Sequence, residues 1–265
     1  MTATQKANVL YHTMLAPVYH EQPFLRADNR ARVRRILEEL RRRSGRARLL
    51  DVGCGAGFIF DAAHDLFDRL DGVDITAEML SRVERRPNVS TLIAPAEALP
   101  FPGACFDIVT CNGVLHHIER LDLALAEVRR VLRPGGVFYA DEIPSMEFRQ
   151  SLCSLKGPMS DLLSAEWLKV SADVDRYSRL GIAPEATRAA MAQCYGKDEL
   201  RKENLRNLLA AAGFDSVDLR CRWFLGEAQV RDAWGQEAAG RLEEYLTSLL
   251  PLTGHLFKNL MLFAS

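Results

Sequence analysis

The sequence predicts an α/β fold in which a mostly parallel sheet carries helices on both faces. Short runs of aliphatic and β-branched residues alternate with segments whose apolar residues recur at helical spacing. This alternation is typical of strand–helix–strand units. A glycine-rich turn at residues 53–57 lies directly between the first strand and the first helix of the series. Two more strand-like runs near the carboxyl end extend the pattern.

Composition fits a large globular domain and argues against several functional classes. The chain has 265 residues, of which 48% are hydrophobic and 26% charged, with a formal net charge of -1. Such a charge gives no global attraction to nucleic acid or to an anionic membrane. No window approaches the ~20 apolar residues of a membrane helix, and residues 1–15 lack a secretory pattern. We therefore expect a cytoplasmic protein with no membrane span.

The cysteine pattern favours no metal site, and the alternative is a metal site assembled from distant cysteines. The six cysteines form no CxxC pair and do not cluster with histidine at zinc-finger spacing. We expect reduced, mostly buried thiols.

Capping residues, proline and glycine indicate where the predicted helices begin and end. Thr76 stands where a helix N-cap is expected, and Pro134-Gly135-Gly136 ends a helix, because proline cannot continue one. The predicted strands are residues 48–52, 70–74, 89–93, 106–112, 137–141, 216–220 and 256–263, and the predicted helices are 58–66, 78–86, 121–132, 205–212 and a stretch near 227–250.

We expect one domain with four parts. They are a helical N-terminal part (1–45), a ligand-binding core (46–143), a helical insertion (144–198) and the C-terminal part of the sheet (199–265). The N-terminal part carries an apolar stripe of Val33, Ile36, Leu37 and Leu40.

The insertion follows the fifth strand, so it should cover the carboxyl edge of the sheet, where open α/β sheets bind ligands. We expect its Trp167 and Tyr195 to bind an apolar or aromatic substrate. Alternatively, its apolar residues form a small core of their own or a dimer contact, and a homodimer stays open.

Residues 51–57, Asp-Val-Gly-Cys-Gly-Ala-Gly, predict a ligand-binding turn. Glycine permits unusual backbone angles and lets a ligand approach the backbone, and amides at the following helix N-terminus face that ligand. A nicotinamide dinucleotide site uses GxGxxG, but here the third glycine falls one position early and Phe58 takes the last place. The Asp51 carboxylate would repel a pyrophosphate and suits an ammonium group or hydroxyls.

A second carboxylate, Asp74, ends the second strand. From there it can accept hydrogen bonds from both hydroxyls of a ribose. S-adenosylmethionine (SAM) offers an ammonium, a sulfonium and ribose hydroxyls without phosphate. The alternative is a purely structural turn in which Asp51 caps the next helix.

Together these residues resemble the class I SAM-dependent methyltransferases. Further segments similar to the motifs of that family are residues 96–101 (AEALPF), 106–118 (FDIV through LHHI) and 132–136 (LRPGG), and the match is dense over about residues 48–142. Five ordered motifs are far more specific than one. The resemblance implies a Rossmann-like seven-stranded sheet with an antiparallel last strand. It places SAM across the carboxyl ends of the first, second and fourth strands, with S-adenosylhomocysteine (SAH) as product.

The N-terminal Tyr11-His12 and Tyr19-His20 resemble a paired aromatic segment of the ubiquinone/menaquinone C-methyltransferase type. There an N-terminal helix folds over SAM as a lid and a tyrosine approaches the methionine part. The resemblance implies the same for Tyr11 and Tyr19; simple packing of the helix on the sheet is the alternative.

The sequence departs from the family pattern at one position that is expected to bind the adenine of SAM. An aspartate usually precedes the "AE" in this family, but here Pro95 does, which offers neither an acceptor side chain nor an N–H. We expect the backbone near Ala96, or stacking on Ile75 and Met79, to hold the adenine. The resemblance thus implies the cofactor contacts Asp51, Gly53, Cys54, Gly55, Gly57, Asp74, Ile75, Met79, Ala96, Glu97, Asn112, Tyr11 and Tyr19, with backbone at Asn112 holding the ammonium.

Two side chains are candidate catalytic groups. Methyl transfer requires alignment and exclusion of water, and a base only where the acceptor arrives protonated. His117 follows the fourth strand and titrates near neutrality, whereas His116 should point elsewhere. Glu142, at the end of the fifth strand, is a second candidate base or substrate anchor. Alternatively, His117 only caps the next segment, and Glu142 is a solvated loop carboxylate.

The sequence thus predicts a SAM-dependent enzyme that methylates an O, N or C atom of a small, apolar or aromatic molecule of secondary or quinone-like metabolism. An arginine run over residues 26–48 keeps an RNA methyltransferase open. Acidic residues balance the run and no aromatic residues interleave with it, so we expect no nucleic acid partner. A non-catalytic SAM-binding protein and a nicotinamide oxidoreductase also stay open.

Overall fold

Seven strands form one sheet at the centre of the molecule. The computed structural model describes residues 1–22, 25–44, 48–154 and 197–265. The strand order is β3-β2-β1-β4-β5-β7-β6, and β1 to β5 pair in parallel whereas β7 is antiparallel to both neighbours. The strands are β1 (Arg48–Val52), β2 (Arg69–Asp74), β3 (Val89–Ile93), β4 (Phe106–Asn112), β5 (Leu132–Pro144), β6 (Val217–Phe224) and β7 (Phe257–Ala264).

The strand order changes direction between β1 and β4, and this decides where a ligand binds. In open α/β sheets the crevice lies beyond the carboxyl ends of the strands at such a point. The described helices are α1 (Ala3–Leu15), α2 (Ala27–Ser44), α3 (Phe58–Ala63), α4 (Ala77–Leu80), α5 (Leu121–Val131), α6 (Met146–Ser154), α7 (Lys202–Ala211) and α8 (Glu227–Ser248, broken at Gly235), with short 3₁₀ turns at Ala16–Glu21, Leu115–His117, Asp198–Leu200 and Gly254–Leu256.

Successive residues of the central strands enter two different cores. Leu49 of β1 packs with α2 and α3 on one face, whereas Leu50 packs with α5 and α7 on the other. This is the period-2 alternation of a strand covered on both sides. Each fully buried leucine contributes about 1.5–3 kcal/mol.

Helix α2 belongs to the core, whereas α1 lies over the sheet edge. In the predicted apolar stripe of α2, Val33, Leu37 and Leu40 are buried against α3 and the sheet. The N-terminal part therefore splits in two, and α1 is its covering part. A capping box starts α1, with Thr2 accepting from Gln5 N–H and donating its own N–H to the Gln5 side chain.

All seven predicted strands are confirmed to within a few residues, with β5 extending further at both ends. The predicted helix at 78–86 is wrong: α4 ends at Leu80, and the Arg82 and Val83 amides bond to carbonyls three residues back. Thr76 stands at the N-cap position without a side-chain cap bond. The predicted helix at 58–66 is likewise shorter and ends at Ala63.

In the part of the chain that the structure describes, no helix is long and apolar enough to span a membrane. Most of the predicted insertion, including Trp167 and Tyr195, lies outside the described residues.

Candidate active site

A cavity lies at the carboxyl ends of β1, β2 and β4, beneath α1. Three parts of the chain form its walls: the glycine turn, the segments after β2, β3 and β4, and the covering helix. Its lining residues are Gln5, Asn8, His12, Tyr19, Gly53, Gly55, Asp74, Ile75, Thr76, Met79, Ala94, Ala96, Glu97, Gly113, Val114, His117 and Ile118.

The turn after β1 gives the cavity a floor of bare backbone. Gly53 and Gly55 have φ of +72° and +51°, a region that L side chains rarely adopt. A Cβ on Gly53 would lie 2.4 Å from Val114 Cγ2, and one on Gly55 would lie 3.2 Å from Met79 Cε. Glycine is therefore required at both positions by conformation and by space.

Asp74 is held rigidly at the cavity edge. Its Oδ2 accepts from the Gly55 N–H at 2.9 Å and its Oδ1 from the Thr76 N–H at 2.8 Å. Each carboxylate oxygen keeps acceptor capacity beyond that one bond. The two bonds fix the orientation of the carboxylate, and its predicted role of accepting two ribose hydroxyls stays a prediction.

Asp51 lies beneath the cavity rather than in its wall. The residue is 2% exposed, and Oδ1 accepts from Thr110 Oγ1 at 2.7 Å. Burial raises the pKa of Asp51 to about 8, so the carboxyl is mostly protonated at neutral pH. The expectation that Asp51 repels pyrophosphate therefore needs correction, because it assumes a charged group facing the ligand.

The cavity lining itself supplies a better argument against phosphate. Among the described residues that line it, none is lysine or arginine, and Asp74 and Glu97 are acidic. A pyrophosphate would meet no cationic side chain there.

His117 reaches the cavity from the 3₁₀ turn after β4. Its N–H donates to the Val114 carbonyl at 2.7 Å, and its own carbonyl accepts from Asn8 Nδ2 at 3.0 Å. The His117 ring lies edge-on to His12, with the ring centroids 5.1 Å apart. Two imidazoles therefore meet at one end of the cavity.

His116 is not among the residues that line the cavity. Its ring is buried and stacks at a tilt on His117, with the ring centroids 4.0 Å apart. Burial lowers the pKa of His116 to about 3, so the ring is neutral.

Glu142 is held by neighbours outside the cavity lining. Its Oε1 accepts from Trp223 Nε1 at 3.0 Å, and its Oε2 accepts from Asn259 Nδ2. Burial raises the pKa of Glu142 to about 7. The alternative of a solvated loop carboxylate is therefore wrong, and the predicted roles of base or substrate anchor stay predictions.

Asp141, next to Glu142, anchors the end of β5. It is 1% exposed, and its Oδ2 accepts from Arg32 of α2 at 2.7 Å and from the Tyr139 hydroxyl at 2.6 Å. The Asp141 carbonyl accepts from the Gly113 N–H at 2.9 Å. A buried ion pair thus fixes the backbone that borders the cavity.

The remaining predicted cofactor residues divide into two groups. Gly53, Gly55, Asp74, Ile75, Met79, Ala96, Glu97 and Tyr19 line the cavity, whereas Asp51, Cys54, Gly57, Asn112 and Tyr11 do not. Tyr11 packs with Leu15 inside the N-terminal segment, and Cys54 packs against Phe60 and Gly72. Ile75, Met79 and Ala96 line the cavity, and their predicted contact with the adenine stays a prediction.

Sequence reasoning missed Gln5, Asn8 and His12 of α1. Their spacing of three and four residues puts them on one helix face, and all three line the cavity. That polar stripe is the signal in the sequence that could have found them.

These residues fit SAM on three observations. The floor is bare backbone, Asp74 is fixed for two hydroxyls, and Asn8 presents a buried Oδ1 that has no hydrogen-bond partner within the described part of the protein. A buried acceptor of this kind calls for a donor from a ligand or water. The fold and the site together define a protein that binds a phosphate-free nucleoside ligand.

Comparisons with known proteins agree. Residues 50–140 match the family described as "Methyltransferase domain". The chain is 37% identical over 123 residues to an uncharacterized methyltransferase, YcgJ, of Bacillus subtilis, covering 42% of this chain and 49% of that protein. It is 34% identical over 136 residues to the ubiquinone/menaquinone biosynthesis C-methyltransferase UbiE of Shewanella sp. (strain ANA-3), covering 49% and 47%. The chain thus spans about half the length of these curated relatives.

A solved structure shows the same fold over nearly the whole chain. It is a putative methyltransferase in complex with the Haloferax volcanii Trm112 methyltransferase activator, with a TM-score of 0.59, 15% identity and 96% coverage of both chains. That structure shows the fold, and the family match assigns a methyltransferase domain to residues 50–140, in agreement with the SAM cofactor predicted from the sequence. The class, the sheet architecture and the cofactor predicted from the sequence are confirmed.

Proposed function

We propose that the protein transfers the methyl group of SAM to an O, N or C atom of a small, apolar or aromatic molecule. The observation that carries the proposal is the cavity at the ends of β1, β2 and β4, which joins a fixed ribose-binding carboxylate, Asp74, to two imidazoles, His12 and His117. Bound SAM supplies a methyl carbon activated by the adjacent sulfonium.

The residues of the chain then have three tasks. Asp74 accepts the ribose hydroxyls, Ile75 and Met79 flank the adenine, and the bare backbone of Gly53 and Gly55 lets the cofactor approach closely. Helix α1 excludes water from the reacting groups, which strengthens every polar interaction inside. An imidazole at the other end of the cavity takes a proton where the acceptor carries one, and His117 is the candidate that the sequence indicates.

Two features support a small acceptor rather than RNA. Helix α1 covers the cavity and is bonded to segments on either side of it, through Thr13 to Glu78 and through Asn8 to His117. The arginines of the N-terminal run are mostly engaged by carboxylates, which leaves little free positive charge for phosphates. These ion pairs are Arg26–Asp28, Arg32–Asp141, Arg34–Asp65, Arg42–Glu39, Arg43–Glu39 and Arg48–Asp71.

Calorimetry tests the cofactor part of the proposal. SAM and SAH should bind, NAD should not, and Asp74→Ala should weaken SAH binding by roughly 10–100-fold, as expected for loss of a charged hydrogen-bond acceptor. Asp122→Ala is the control, because Asp122 is exposed on α5 and paired with Arg120. Binding of NAD without binding of SAM would overturn the proposal.

Turnover is tested by SAH release. A panel of small phenols, amines and carbon acids should release SAH, whereas bulk RNA should not. Release with RNA alone, with a steep salt dependence, would move the function to RNA methylation. Cofactor binding with no release from either would favour a non-catalytic SAM-binding protein.

A further inference from the structure

We propose that His12 of helix α1 is the catalytic base, and that the acceptor is therefore a hydroxyl or an activated C–H compound. This inference rests on the proposed function and deepens it. The family resemblance gives a role to the neighbouring Tyr11 and none to His12.

The covering helix places the His12 side chain in the cavity wall. Asn8 lies one turn before it and His117 lies opposite, with the two imidazole centroids 5.1 Å apart and their planes at 89°. The Tyr11 ring meets His12 edge-on, with the centroids 5.1 Å apart. Rings on two sides thus restrict the orientation of the imidazole.

A backbone hydrogen bond fixes the tautomer of His12. Its Nδ1 lies 2.9 Å from the carbonyl oxygen of Asn8. A carbonyl oxygen can only accept, so we assign the proton to Nδ1. The neutral ring carries one N–H, and Nε2 is therefore left with its lone pair. That is the state in which an imidazole accepts a proton.

Burial keeps this ring neutral. Removal from water lowers the pKa of His12 below its usual value, and the hydrogen bond to the Asn8 carbonyl and the Asp74 carboxylate oppose this only in part. An imidazolium formed beside Asp74 during turnover would be stabilised by that negative charge. Among the described residues, the titratable groups around His12 are Tyr11 of its own helix, Tyr19 of the following turn, Asp74 after β2, Glu97 after β3, and His116 and His117 after β4. Glu78 of α4 accepts a hydrogen bond from the adjacent Thr13.

One residue, Asn8, connects both imidazoles. Its backbone carbonyl accepts from His12, and its side-chain amide donates to the backbone carbonyl of His117. The residue is 2% exposed. Asn8 is therefore a positioning residue, which keeps the base on the covering helix in register with the segment after β4.

The proton balance defines the acceptor class. An electron pair of the acceptor forms the new bond to the methyl carbon, and the carbon–sulfur bond breaks with its pair left on sulfur. The acceptor proton goes to His12 Nε2, and the imidazolium later releases it to water. An amine that arrives neutral, such as an arylamine, needs no base before the attack, so a base poised in this way indicates an acceptor that arrives protonated, such as a hydroxyl or a carbon acid.

A spectroscopic experiment tests the tautomer without any acceptor. Nitrogen-15 NMR of the histidine-labelled full chain in complex with SAH should show His12 neutral with the proton on Nδ1 near neutral pH, assigned by loss of its signal in His12→Gln. A His12 imidazolium, or a proton on Nε2, would overturn the proposal. Failure of SAH to bind the wild-type protein would instead refute the proposed function.

Kinetics with two probes test the role in catalysis. Catechol serves as the hydroxyl acceptor and aniline, which is neutral near pH 7, as the amine, and SAH release is measured. His12→Gln should lower kcat with catechol by about 10²–10⁴-fold and abolish its pH dependence, while the Kd for SAH stays within about threefold of wild type. His20→Gln is the matched control, because His20 is exposed in the next turn.

Three other outcomes of the kinetic experiment also bear on whether His12 is the base. Wild-type turnover of aniline but not catechol would leave the proposed function intact and refute His12 as the base. Unchanged catechol turnover in His12→Gln, together with a large loss in His117→Gln, would assign the proton to His117. If neither probe is methylated, the tautomer measurement decides.

Discussion

Asn8 of the N-terminal helix donates its side-chain amide to the backbone carbonyl of His117 at 3.0 Å. The two residues are 109 positions apart in the sequence, and both line the cavity. The bond joins the cover of the site to the wall formed by the segment that leaves β4.

We expect Asn8→Asp to loosen this cover. The aspartate oxygens cannot donate to the His117 carbonyl, which leaves a buried acceptor unsatisfied at a cost of about 1–3 kcal/mol. Hydrogen exchange should accelerate in α1, and SAH affinity should fall by about tenfold or more. Asn204→Asp on α7 is the control. Unchanged exchange in α1 would show that the bond does not hold the helix.

Gly55→Ala should abolish cofactor binding more than it destabilises the fold. At φ of +51° alanine is strained, and its Cβ would lie 3.2 Å from Met79 Cε. We expect a loss of about 1–2 kcal/mol in unfolding free energy and no SAH binding detectable by calorimetry.

The matched control is Gly240→Ala within α8, where an added Cβ meets nothing within 4 Å. There alanine should stabilise the helix by roughly 0.5–1 kcal/mol. Wild-type SAH affinity in Gly55→Ala would contradict the assignment of this turn as the cofactor floor.

Asp51 should make the protein less stable as the pH rises. Its pKa is about 8 in the folded protein against 3.8 for the free side chain. Between these values the folded state keeps a proton that the unfolded chain releases. The free energy of unfolding therefore falls with rising pH, by up to about 1.4 kcal/mol per pH unit for one proton.

The Asp51→Asn variant lacks the titrating carboxyl proton, and its amide oxygen can still accept the hydrogen bond from the Thr110 hydroxyl. Urea unfolding at about pH 5 and pH 7 should show a smaller loss of stability in Asp51→Asn than in the wild type. Glu142, whose pKa is raised to about 7, contributes in the same direction in both proteins. Asp122→Asn serves as the exposed control, and an equal pH slope in wild type and Asp51→Asn would refute the buried carboxyl.

Arg32→Met should destabilise the end of β5. The substitution leaves the Asp141 carboxylate buried without its cation, which costs about 3–5 kcal/mol. Arg42→Met is a suitable control, because its ion pair with Glu39 is exposed and such pairs contribute about 0–1 kcal/mol. Chemical denaturation of both variants measures the difference, and similar losses in the two would contradict a buried role for Arg32.

The sheet was predictable because each strand carries its own signal. The residues of β1 and β4 are almost all buried, so apolar runs bounded by glycine, asparagine or aspartate mark them directly. Helix α4 was overpredicted because Arg82, Arg85 and Arg86 have good helix propensity, whereas Val83 is the single residue of 81–86 that packs against the core. Propensity alone does not sustain a helix there.

The sequence predicted those residues of the candidate site that belong to a recognisable local motif. Gly53, Gly55 and Asp74 follow adjacent strands, and their spacing indicates their position. Asp51 is buried because β1 places it beside Thr110 of β4, 59 residues further along the chain. The hydrogen bonds of Glu142 come from Trp223 and Asn259, in strands near the carboxyl end of the chain. Such long-range contacts leave no local pattern, and the same holds for the meeting of His12 with His117.

Helix α1 forms part of the pocket but not of the two main hydrophobic clusters, so the folding of the domain and the formation of the pocket depend on different parts of the chain. The two large hydrophobic clusters on either side of the sheet contain no residue of α1, whose buried Tyr11 and Leu15 form a small cluster of their own. Deleting the first fifteen residues would thus spare the scaffold and remove one wall of the pocket together with His12. Natural variation at the amino terminus could then change which molecules are accepted without altering the scaffold.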